Sequence, residues 1–446
     1  RNKFMILVGN GRLISQDSLN PYMEDGCVVI NDNLIEDIGT TEEMKVKYPV
    51  HEFIDAGKKI IMPGLINSHM HIYSSFARGM AVPGKPSENF LEILNNLWWR
   101  LDKQLTLEDT KYSAYATYIE CIKNGVTTVY DHHASPNAIE GSLFTISDVA
   151  KDLGIRTCLC YEVSDRDGGN TIQQGINENV NFIKYAQKDD TDMIKGMFGL
   201  HAAFTLSDDT LNKCASEMAG LDTGYHVHVA EGLADLQYNV DKYGKRVLER
   251  FNDFGVLKEK TIAVHCIYIS AEEISLLNKT NTFVVHNPES NMGNAVGCSP
   301  AIELLKRGVT VGLGTDGYTS DMFESLKVAN IIHKHHLKDP RVGFEESQTM
   351  LFDNNRKIAK AYYKNDLGVL KKGAYADVIV VDYIPHTPLT ENTIGGHTIF
   401  GMSGRSVDTT IINGKVLMKD RKLINIDEES ILAKSRELSQ NLWNRI

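Results

Sequence analysis

Residues 65–71 read LINSHMH, an apolar run that ends in two histidines one residue apart, His69 and His71. In a β-strand, residues i and i+2 point to the same side, so both imidazoles would face one common space. Two further His-x-His pairs occur, at 226–228 and at 333–335. The spacing alone therefore does not identify a site, and the context of each pair has to decide.

The chain around this stretch alternates β-branched apolar runs with longer helical patterns, which is typical of repeated βα units. Eight such runs occur, at residues 59–69, 126–131, 155–163, 194–201, 224–231, 261–269, 282–288 and 309–317. Eight consecutive βα units predict a (β/α)8 TIM barrel, a fold of the α/β class.

Short alternating stretches lie on both sides of the predicted barrel. GCVVINDNLIEDIG lies near the start of the chain, and the alternation returns in LKKGAYADVIVVDY. Such patterns are typical of antiparallel strands joined by turns. We therefore predict a smaller, β-sandwich-like domain that combines residues 1–60 with 371–446, a barrel domain of residues 61–370, and a final helix near 428–443.

The composition excludes several classes of protein. The 446 residues are 42% hydrophobic and 24% charged, the mean hydropathy is -0.24, and no run approaches the roughly 18 apolar residues of a membrane span. Seven cysteines without a CxxC pattern, and no signal-peptide pattern, predict a reduced, cytoplasmic protein. A net charge of -11 predicts no nucleic-acid or membrane partner and a small-molecule substrate that is not strongly anionic. A homo-oligomer is compatible with this composition.

Polar residues at the C-terminal ends of the predicted strands are the candidates for chemistry, because TIM-barrel active sites lie at that mouth. These residues are His69, His71, His228, Glu231, His265, His286 and Asp316. A lone histidine in an apolar strand is usually a core residue, but several imidazoles at one mouth would be costly to desolvate unless a cation organised them. Nitrogen and oxygen ligands without thiolates predict a catalytic Zn²⁺ site with an open position, with Fe²⁺ as the alternative.

Other polar or sulfur-containing stretches receive simpler interpretations. HKHH at 333–336 lies in a helical pattern after the last barrel strand and is interpreted as surface. His226 lies deeper on its strand than the histidine two residues on, which predicts a supporting or packing role. Cys158 and Cys160 alternate along an apolar strand and are predicted core residues. The Asp-His-His stretch at 131–133 is predicted to line the pocket.

Five segments in order, PGLINSHMH, HVHVAE, AVHC, HNPESN and GLGTDG, resemble the amidohydrolase superfamily, in particular its aminohydrolase and chlorohydrolase branch. The resemblance extends over nearly the full chain and includes LHAAFTLS at 200–207. LNNLWWRLDK together with YDHHAS is most similar to the SsnA-type aminohydrolases. The resemblance implies a metal-dependent hydrolase that acts on carbon–nitrogen bonds other than peptide bonds.

The resemblance also implies roles for individual residues. It makes the metal ligands His69, His71, His228 and Asp316. It places His265 and Glu231 beside the metal-bound water. The fourth strand has no lysine where two-metal relatives hold a carboxylated one, which implies one divalent metal per chain.

The implied activity is hydrolytic deamination of an amino-substituted heterocycle, such as a purine-like base or nucleoside or a pterin-like ring. Glu231 would carry a proton to the ring nitrogen, while His265 and Asp316 orient and deprotonate the water. The residues predicted to bind the substrate are His201, His286 and Asn291. Trp98 or Trp99 would cover the opening from the first loop, although ordinary helix packing explains these tryptophans equally well.

Two alternative functions use the same residues. The site could instead expel chloride or open a cyclic amide, or the chain could be a metal-binding scaffold without activity. The intact Glu231 and Asp316 argue against the scaffold, which needs no proton carrier. The loop after Asp316, GYTSDMFE, is shorter than expected for adenosine-derivative deaminases, and AVPGKPSENF is an unusual insert in the first loop. The substrate therefore stays open at this level.

Overall fold

The computed structural model describes residues 4–446, and all elements below belong to that part of the chain. The strands are β1 Met5–Ile14, β2 Tyr22–Asn31, β3 Leu34–Thr40, β4 His51–Asp55, β5 Ile60–Pro63, β6 Leu65–Met70, β7 Val126–Asp131, β8 Arg156–Leu159, β9 Ile194–Gly196, β10 Phe198–Ala202, β11 Tyr225–Val229, β12 Ile262–His265, β13 Phe283–His286, β14 Val311–Leu313, β15 Val378–Val381, β16 Val407–Ile412, β17 Lys415–Lys419 and β18 Lys422–Leu423.

The α-helices are α1 Thr41–Lys47, α2 Phe90–Ile93, α3 Trp99–Gln104, α4 Leu107–Lys123, α5 Ser142–Leu153, α6 Gly169–Gln187, α7 Asp208–Met218, α8 Leu233–Tyr243, α9 Val247–Asp253, α10 Ala271–Lys279, α11 Pro288–Gly293, α12 Ala301–Lys306, α13 Met322–Leu337, α14 Phe344–Gln348, α15 Asn355–Lys360, α16 Ile394–Gly401 and α17 Glu428–Asn444. Short 3₁₀ or π-helical turns occupy Ile72–Ala77, Leu94–Trp98, Ala203–Thr205, Thr349–Asn354 and Gly404–Ser406. No helix of residues 4–446 has the length and apolar character to cross a membrane.

Two parallel sheets close into one barrel. Strands β6 to β9 form one sheet and β10 to β14 the other. Val163 bridges to Leu200 on one side, and Met70 bridges to Asp316 on the other, where the Asp316 N–H donates to the His69 carbonyl oxygen at 3.0 Å. Because β9 and β10 are two parts of one strand position, the ring has eight positions. The predicted (β/α)8 barrel is confirmed.

A nine-stranded sheet combines strands from both ends of the chain, in the order β18-β17-β16-β15-β5-β1-β2-β3 with β4 paired to β1. The contact between the two ends is the antiparallel pair of β15 with β5, in which Val378 lies opposite Pro63. The additional β layer of the predicted fold class is thereby present, while the domain boundaries given above stay a prediction. The predicted final helix is α17, which packs against α4.

The first predicted barrel strand, 59–69, is two strands in the structure. Residues 60–63 belong to the nine-stranded sheet, and the barrel strand begins at Leu65. Gly64 lies between these two strands, and its N–H donates to the Asp377 carbonyl oxygen at 3.0 Å. A Cβ added at Gly64 would lie 2.2 Å from Thr127 Oγ1. A side chain at this position would therefore separate the barrel strand from its neighbour.

Candidate metal centre and active site

Strand ends bring the predicted metal ligands together. His69 lies at the end of β6 and His71 directly follows it, His228 lies in β11, and Asp316 follows β14. These side chains are buried or nearly so, because they point into the interior of the barrel at its mouth. The sequence periodicity and the strand-end rule correctly brought these four residues to one mouth.

The four side chains have the spacing of a shared ligand set. Asp316 Oδ1 lies 3.2 Å from His69 Nε2 and 3.0 Å from His71 Nε2, and His228 Nε2 lies 3.2 Å from His71 Nε2. Ligand atoms about 2.0–2.1 Å from a tetrahedral zinc would lie about 3.3 Å apart. The donor set, three imidazole nitrogens and one carboxylate oxygen, therefore fits a divalent metal ion.

Backbone carbonyls orient two of the imidazoles. His71 Nδ1 lies 2.6 Å from the His132 carbonyl oxygen, and His228 Nδ1 lies 2.8 Å from the His201 carbonyl oxygen. A carbonyl accepts only, so each Nδ1 carries the proton and each Nε2 presents its lone pair to the centre. The fold thus sets the tautomer that metal binding requires.

His226 supports the ligand set from below. Its Nε2 lies 2.8 Å from His69 Nδ1, and burial, together with the neighbouring His69, lowers the pKa of His226 well below its usual value. A neutral His226 accepts the proton of His69 Nδ1, which leaves His69 Nε2 as the ligand atom. This geometry agrees with the supporting role expected from the sequence.

The residues predicted to move protons lie beside this set. His265 Nε2 lies 3.3 Å from Glu231 Oε2 and 3.6 Å from Asp316 Oδ2. His265 is fully buried, yet its Nε2 has no hydrogen-bond partner among the described residues. Such orphaned atoms are rare in native proteins unless a ligand or water completes them. This orphan therefore fits a water molecule held at the metal centre.

Burial dominates the protonation of these groups. It raises the pKa of Glu231 well above its usual value, and the carboxylates of Asp316 and Asp235 raise it further. Burial also lowers the pKa of His265 to about 4. A carboxyl that holds its proton beside a neutral imidazole is a suitable pair for general acid–base chemistry.

Two of the three predicted substrate-binding residues do not line the cavity. Asn291 is buried behind the catalytic histidine, with its side-chain amide nitrogen 2.9 Å from His265 Nδ1. His286 is fully buried, and its Nε2 lies 3.0 Å from His333 Nε2. These two predictions are corrected, because α11 starts two residues after β13 and turns these side chains inward. The surface interpretation of HKHH is also wrong at His333, which faces the barrel from α13.

The cavity above the ligand set has a volume of about 220 Å³. Of the predicted substrate-binding residues, His201 lines it. Both Trp98 and Trp99 line it as well, together with Tyr73 and Phe90. A wall of aromatic rings suits a flat heterocycle, which can stack on their faces.

The Asp-His-His stretch at 131–133 does not line this cavity, contrary to the prediction. Its three side chains are fully buried and make structural contacts. Asp131 Oδ1 accepts from the Ile72 N–H at 2.7 Å, and His132 Nε2 donates to the Leu200 carbonyl oxygen at 2.9 Å. These side chains therefore point into the protein interior, where they contact the ends of neighbouring strands.

The sequence interpretation missed Glu162, which lines the cavity three residues after β8 ends. The strand-end rule would have found it, because Glu162 stands at the end of the predicted run IRTCLCYEV. Burial raises the pKa of Glu162, but the neighbouring His201, the hydrogen-bond contact with His132 and the Arg166 guanidinium have the larger combined effect and lower it below its usual value. The cavity thus contains an ionised carboxylate outside the predicted set.

The possible metal-binding clusters of the described residues overlap. Three groups of side chains have ligand atoms close enough to share an ion, namely His69–His228–His265–Asp316, His71–His132–His228 and Glu162–His201–His228. All three include His228, whose Nδ1 is already bonded to a carbonyl. The three groups therefore overlap at one residue of the site.

The barrel, the ligand set and the adjacent proton carriers together define a metal-dependent TIM-barrel hydrolase. The chain belongs to the amidohydrolase family, whose pattern residues 60–417 match. It is 31% identical over 450 residues to the 5'-deoxyadenosine deaminase of Methanosarcina mazei, with 99% of each chain covered. It is 33% identical over 421 residues to the 5-methylthioadenosine/S-adenosylhomocysteine deaminase of Thermococcus sibiricus, covering 93% of this chain and 94% of that protein.

A solved structure has the same fold. The adenosine deaminase of Xanthomonas campestris with bound zinc superimposes with a TM-score of 0.87 at 22% identity, and 98% of each chain is covered. The resemblance to the amidohydrolase superfamily inferred from the sequence motifs is confirmed.

Proposed function

We propose that this protein is a metal-dependent deaminase that hydrolyses the exocyclic amino group of a purine-like heterocycle carried by a small molecule. The observation that supports it most is the buried ligand set with Glu231 and His265 beside it, in a chain similar over its whole length to adenosine-type deaminases. The aromatic cavity wall suits a flat ring.

The residues that would hold the ion are His69, His71, His228 and Asp316. When bound, a divalent metal acts as a Lewis acid and lowers the pKa of a coordinated water toward about 7. We infer one Zn²⁺ per chain, because the overlapping clusters share His228, with Fe²⁺ as the alternative. Elemental analysis of protein purified without chelators checks this number, and two equivalents per chain would contradict it.

The chain's own residues move the protons. Asn291 Nδ2 donates to His265 Nδ1 at 2.9 Å, so His265 Nε2 carries the ring proton and orients the attacking water as a hydrogen-bond donor. Asp316 Oδ2, 3.6 Å from His265 Nε2, accepts the proton that the water loses. Glu231 Oε2 lies 3.3 Å from His265 Nε2, and Glu231 delivers its proton to the ring nitrogen next to the reacting carbon. As the bond to the exocyclic nitrogen breaks, Asp316 returns its proton to the departing ammonia and Glu231 takes back the proton of the new hydroxyl. Asp316 Oδ2 accepts a hydrogen bond from Ser290 Oγ at 2.7 Å, which fixes the carboxylate while Oδ1 faces the imidazoles.

A substrate panel tests the activity. Ammonia release should be measured with 5'-deoxyadenosine, 5-methylthioadenosine, S-adenosylhomocysteine, adenosine and guanine, using zinc-loaded protein. A chlorinated triazine and a cyclic amide serve as probes of the two alternative hydrolases. Turnover of a purine supports the proposal. Chloride release or ring opening without any deamination would assign the site to an alternative, and no turnover with the metal bound would favour a scaffold.

Three further properties stay predictions from the sequence. They are the division into residues 1–60 plus 371–446 and 61–370, a cytoplasmic location, and a homo-oligomeric state. The seven cysteines are all free, and six of them are buried, as expected of a reduced protein.

A further inference from the structure

Glu162 is the carboxylate of the cavity that the metal set and the proton carriers do not use. It follows β8 at the barrel mouth, lines the cavity, and its side chain is only 5% exposed. A carboxylate this deeply buried is costly unless donors satisfy it. Its partners therefore decide what this side chain is for.

One oxygen of the Glu162 carboxylate has no hydrogen-bond partner among the described residues. Oε2 lies 3.4 Å from His132 Nδ1, an ion-pair contact. Oε1 lies 4.0 Å from the nearest Arg166 nitrogen, beyond hydrogen-bond distance. Oε1 is thus free to accept hydrogen bonds from a molecule in the cavity.

Arg166 is committed elsewhere. Its two terminal nitrogens bind Asp102, one of them at 3.2 Å, and its guanidinium carbon lies 5.2 Å from the Trp99 ring centroid. Its Nε lies 3.5 Å from Asp167. The arginine is therefore held against Trp99 and Asp102, and it does not line the cavity.

Among the described residues, no lysine or arginine lines the cavity, whereas three acidic side chains do: Glu162, Glu231 and Asp316. The metal ion offsets charge only at its own end of the cavity. An anionic substituent beside Glu162 would meet an ionised carboxylate, and the nearest cation, Arg166, lies 4.0 Å behind that carboxylate and is bound to Asp102, so its approach is unfavourable.

Glu162 also lies at a suitable distance from the reacting position. A Glu162 oxygen, a His201 nitrogen and a His228 nitrogen all lie within 4.8 Å of one another. A ring that reacts beside His228 therefore has its substituents within reach of Glu162.

We propose that Glu162 is a specificity-determining residue, which accepts hydrogen bonds from a hydroxyl or amino group of the substrate and rejects substrates with an anionic group at that position. The proposal rests on the proposed deaminase function. A hydroxyl group and an amino group of the substrate can both donate a hydrogen bond to Glu162, so the test has to show which of the two is recognised.

The test compares matched substrates. Adenosine against 2',3'-dideoxyadenosine measures the contribution of the ribose hydroxyl groups. 2,6-Diaminopurine riboside against adenosine measures the contribution of an additional amino group on the ring. Adenosine against adenosine 5'-monophosphate measures the effect of an anionic group. The kcat/KM ratio within each pair is measured for native protein, Glu162→Gln and Glu162→Ala. Glu178→Gln is the matched control, because this buried carboxylate accepts from the Gly141 N–H and does not line the cavity.

In the native enzyme, loss of the group that Glu162 recognises should reduce kcat/KM about tenfold or more, since hydrogen bonds to charged groups are the strong ones. Glu162→Ala should bring that ratio close to one, and Glu162→Gln should be intermediate, because its amide oxygen is an uncharged acceptor. The 5'-monophosphate should be a poor substrate of the native enzyme and improve relative to adenosine in both variants. Glu178→Gln should keep the native ratios.

Metal content and thermal midpoint are recorded for each variant, so a purely structural role would appear as a loss of folded, loaded protein with unchanged ratios. Unchanged ratios in both Glu162 variants would overturn the proposal. So would native enzyme that uses the 5'-monophosphate as well as adenosine, a result that needs no variant to fold. Absence of ammonia release from every purine by the native protein would instead refute the proposed function.

Discussion

Glu231→Gln separates metal binding from proton transfer. The substitution keeps the size and planar shape of the side chain but removes its ability to donate and take back a proton. Glu231 Oε2 lies 3.3 Å from His265 Nε2 and does not belong to the set formed by Asp316 and its imidazole neighbours. Metal content should therefore stay at the native level. General acid–base groups contribute about 10²- to 10⁴-fold, so kcat should fall by at least about a hundredfold, or roughly 2.7 kcal/mol of barrier.

The contrast is His69→Ala, which removes a buried ligand. This variant should lose metal and activity together, because the remaining ligands leave an incomplete site. Metal content and ammonia release have to be measured on the same preparation of each protein. If Glu231→Gln keeps native turnover, or loses its metal as His69→Ala does, the role given to Glu231 is wrong, and the proton would have to pass through His265 or Asp316.

Three further predictions concern the metal and the joints of the fold. Removing the metal with a chelator should abolish activity and lower the thermal midpoint of unfolding. A metal that binds only the folded state adds about 4 kcal/mol of stability at a thousandfold excess over Kd. Recovery of activity should need one equivalent of Zn²⁺, and an unchanged midpoint would contradict the site. Gly64→Ala should destabilise by about 1–3 kcal/mol in urea unfolding through its clash with Thr127, whereas the control Gly396→Ala, with no atom within 4 Å of its added Cβ, should not. Arg156→Met should lower the free energy of unfolding by about 3–5 kcal/mol, because it leaves the buried Asp377 carboxylate without its cation. KM should stay unchanged, since Arg156 begins β8 at the end of the barrel away from the mouth. An unchanged unfolding midpoint would refute this prediction.

The sequence determined the barrel and predicted which side chains meet at its mouth as candidate metal ligands, because both follow from local patterns. Strand periodicity decides which side chains share a face, and parallel strands bring their carboxyl ends to one mouth. His69 with His71, and His228 with Glu231, could therefore be located from spacing within single strands, and the family motifs agreed. Locating these residues did not require distances between strands, because the strand ends of every TIM barrel meet at one mouth.

The tertiary structure alone decided what surrounds those ligands. His286 ends β13, the same kind of position as the ligands, yet its side chain contacts His333, and Asn291 lies in α11 behind His265. No spacing rule describes these orientations. The division of one apolar run at Gly64 depends on a contact with Thr127, which lies in the next barrel strand. Whether an acidic side chain is neutralised is likewise a question of long-range contacts. Arg166 is bound by Asp102, 64 positions earlier in the chain, which leaves Glu162 Oε1 4.0 Å from the nearest arginine nitrogen. Charge pairing depends on distances in space and not on order along the chain.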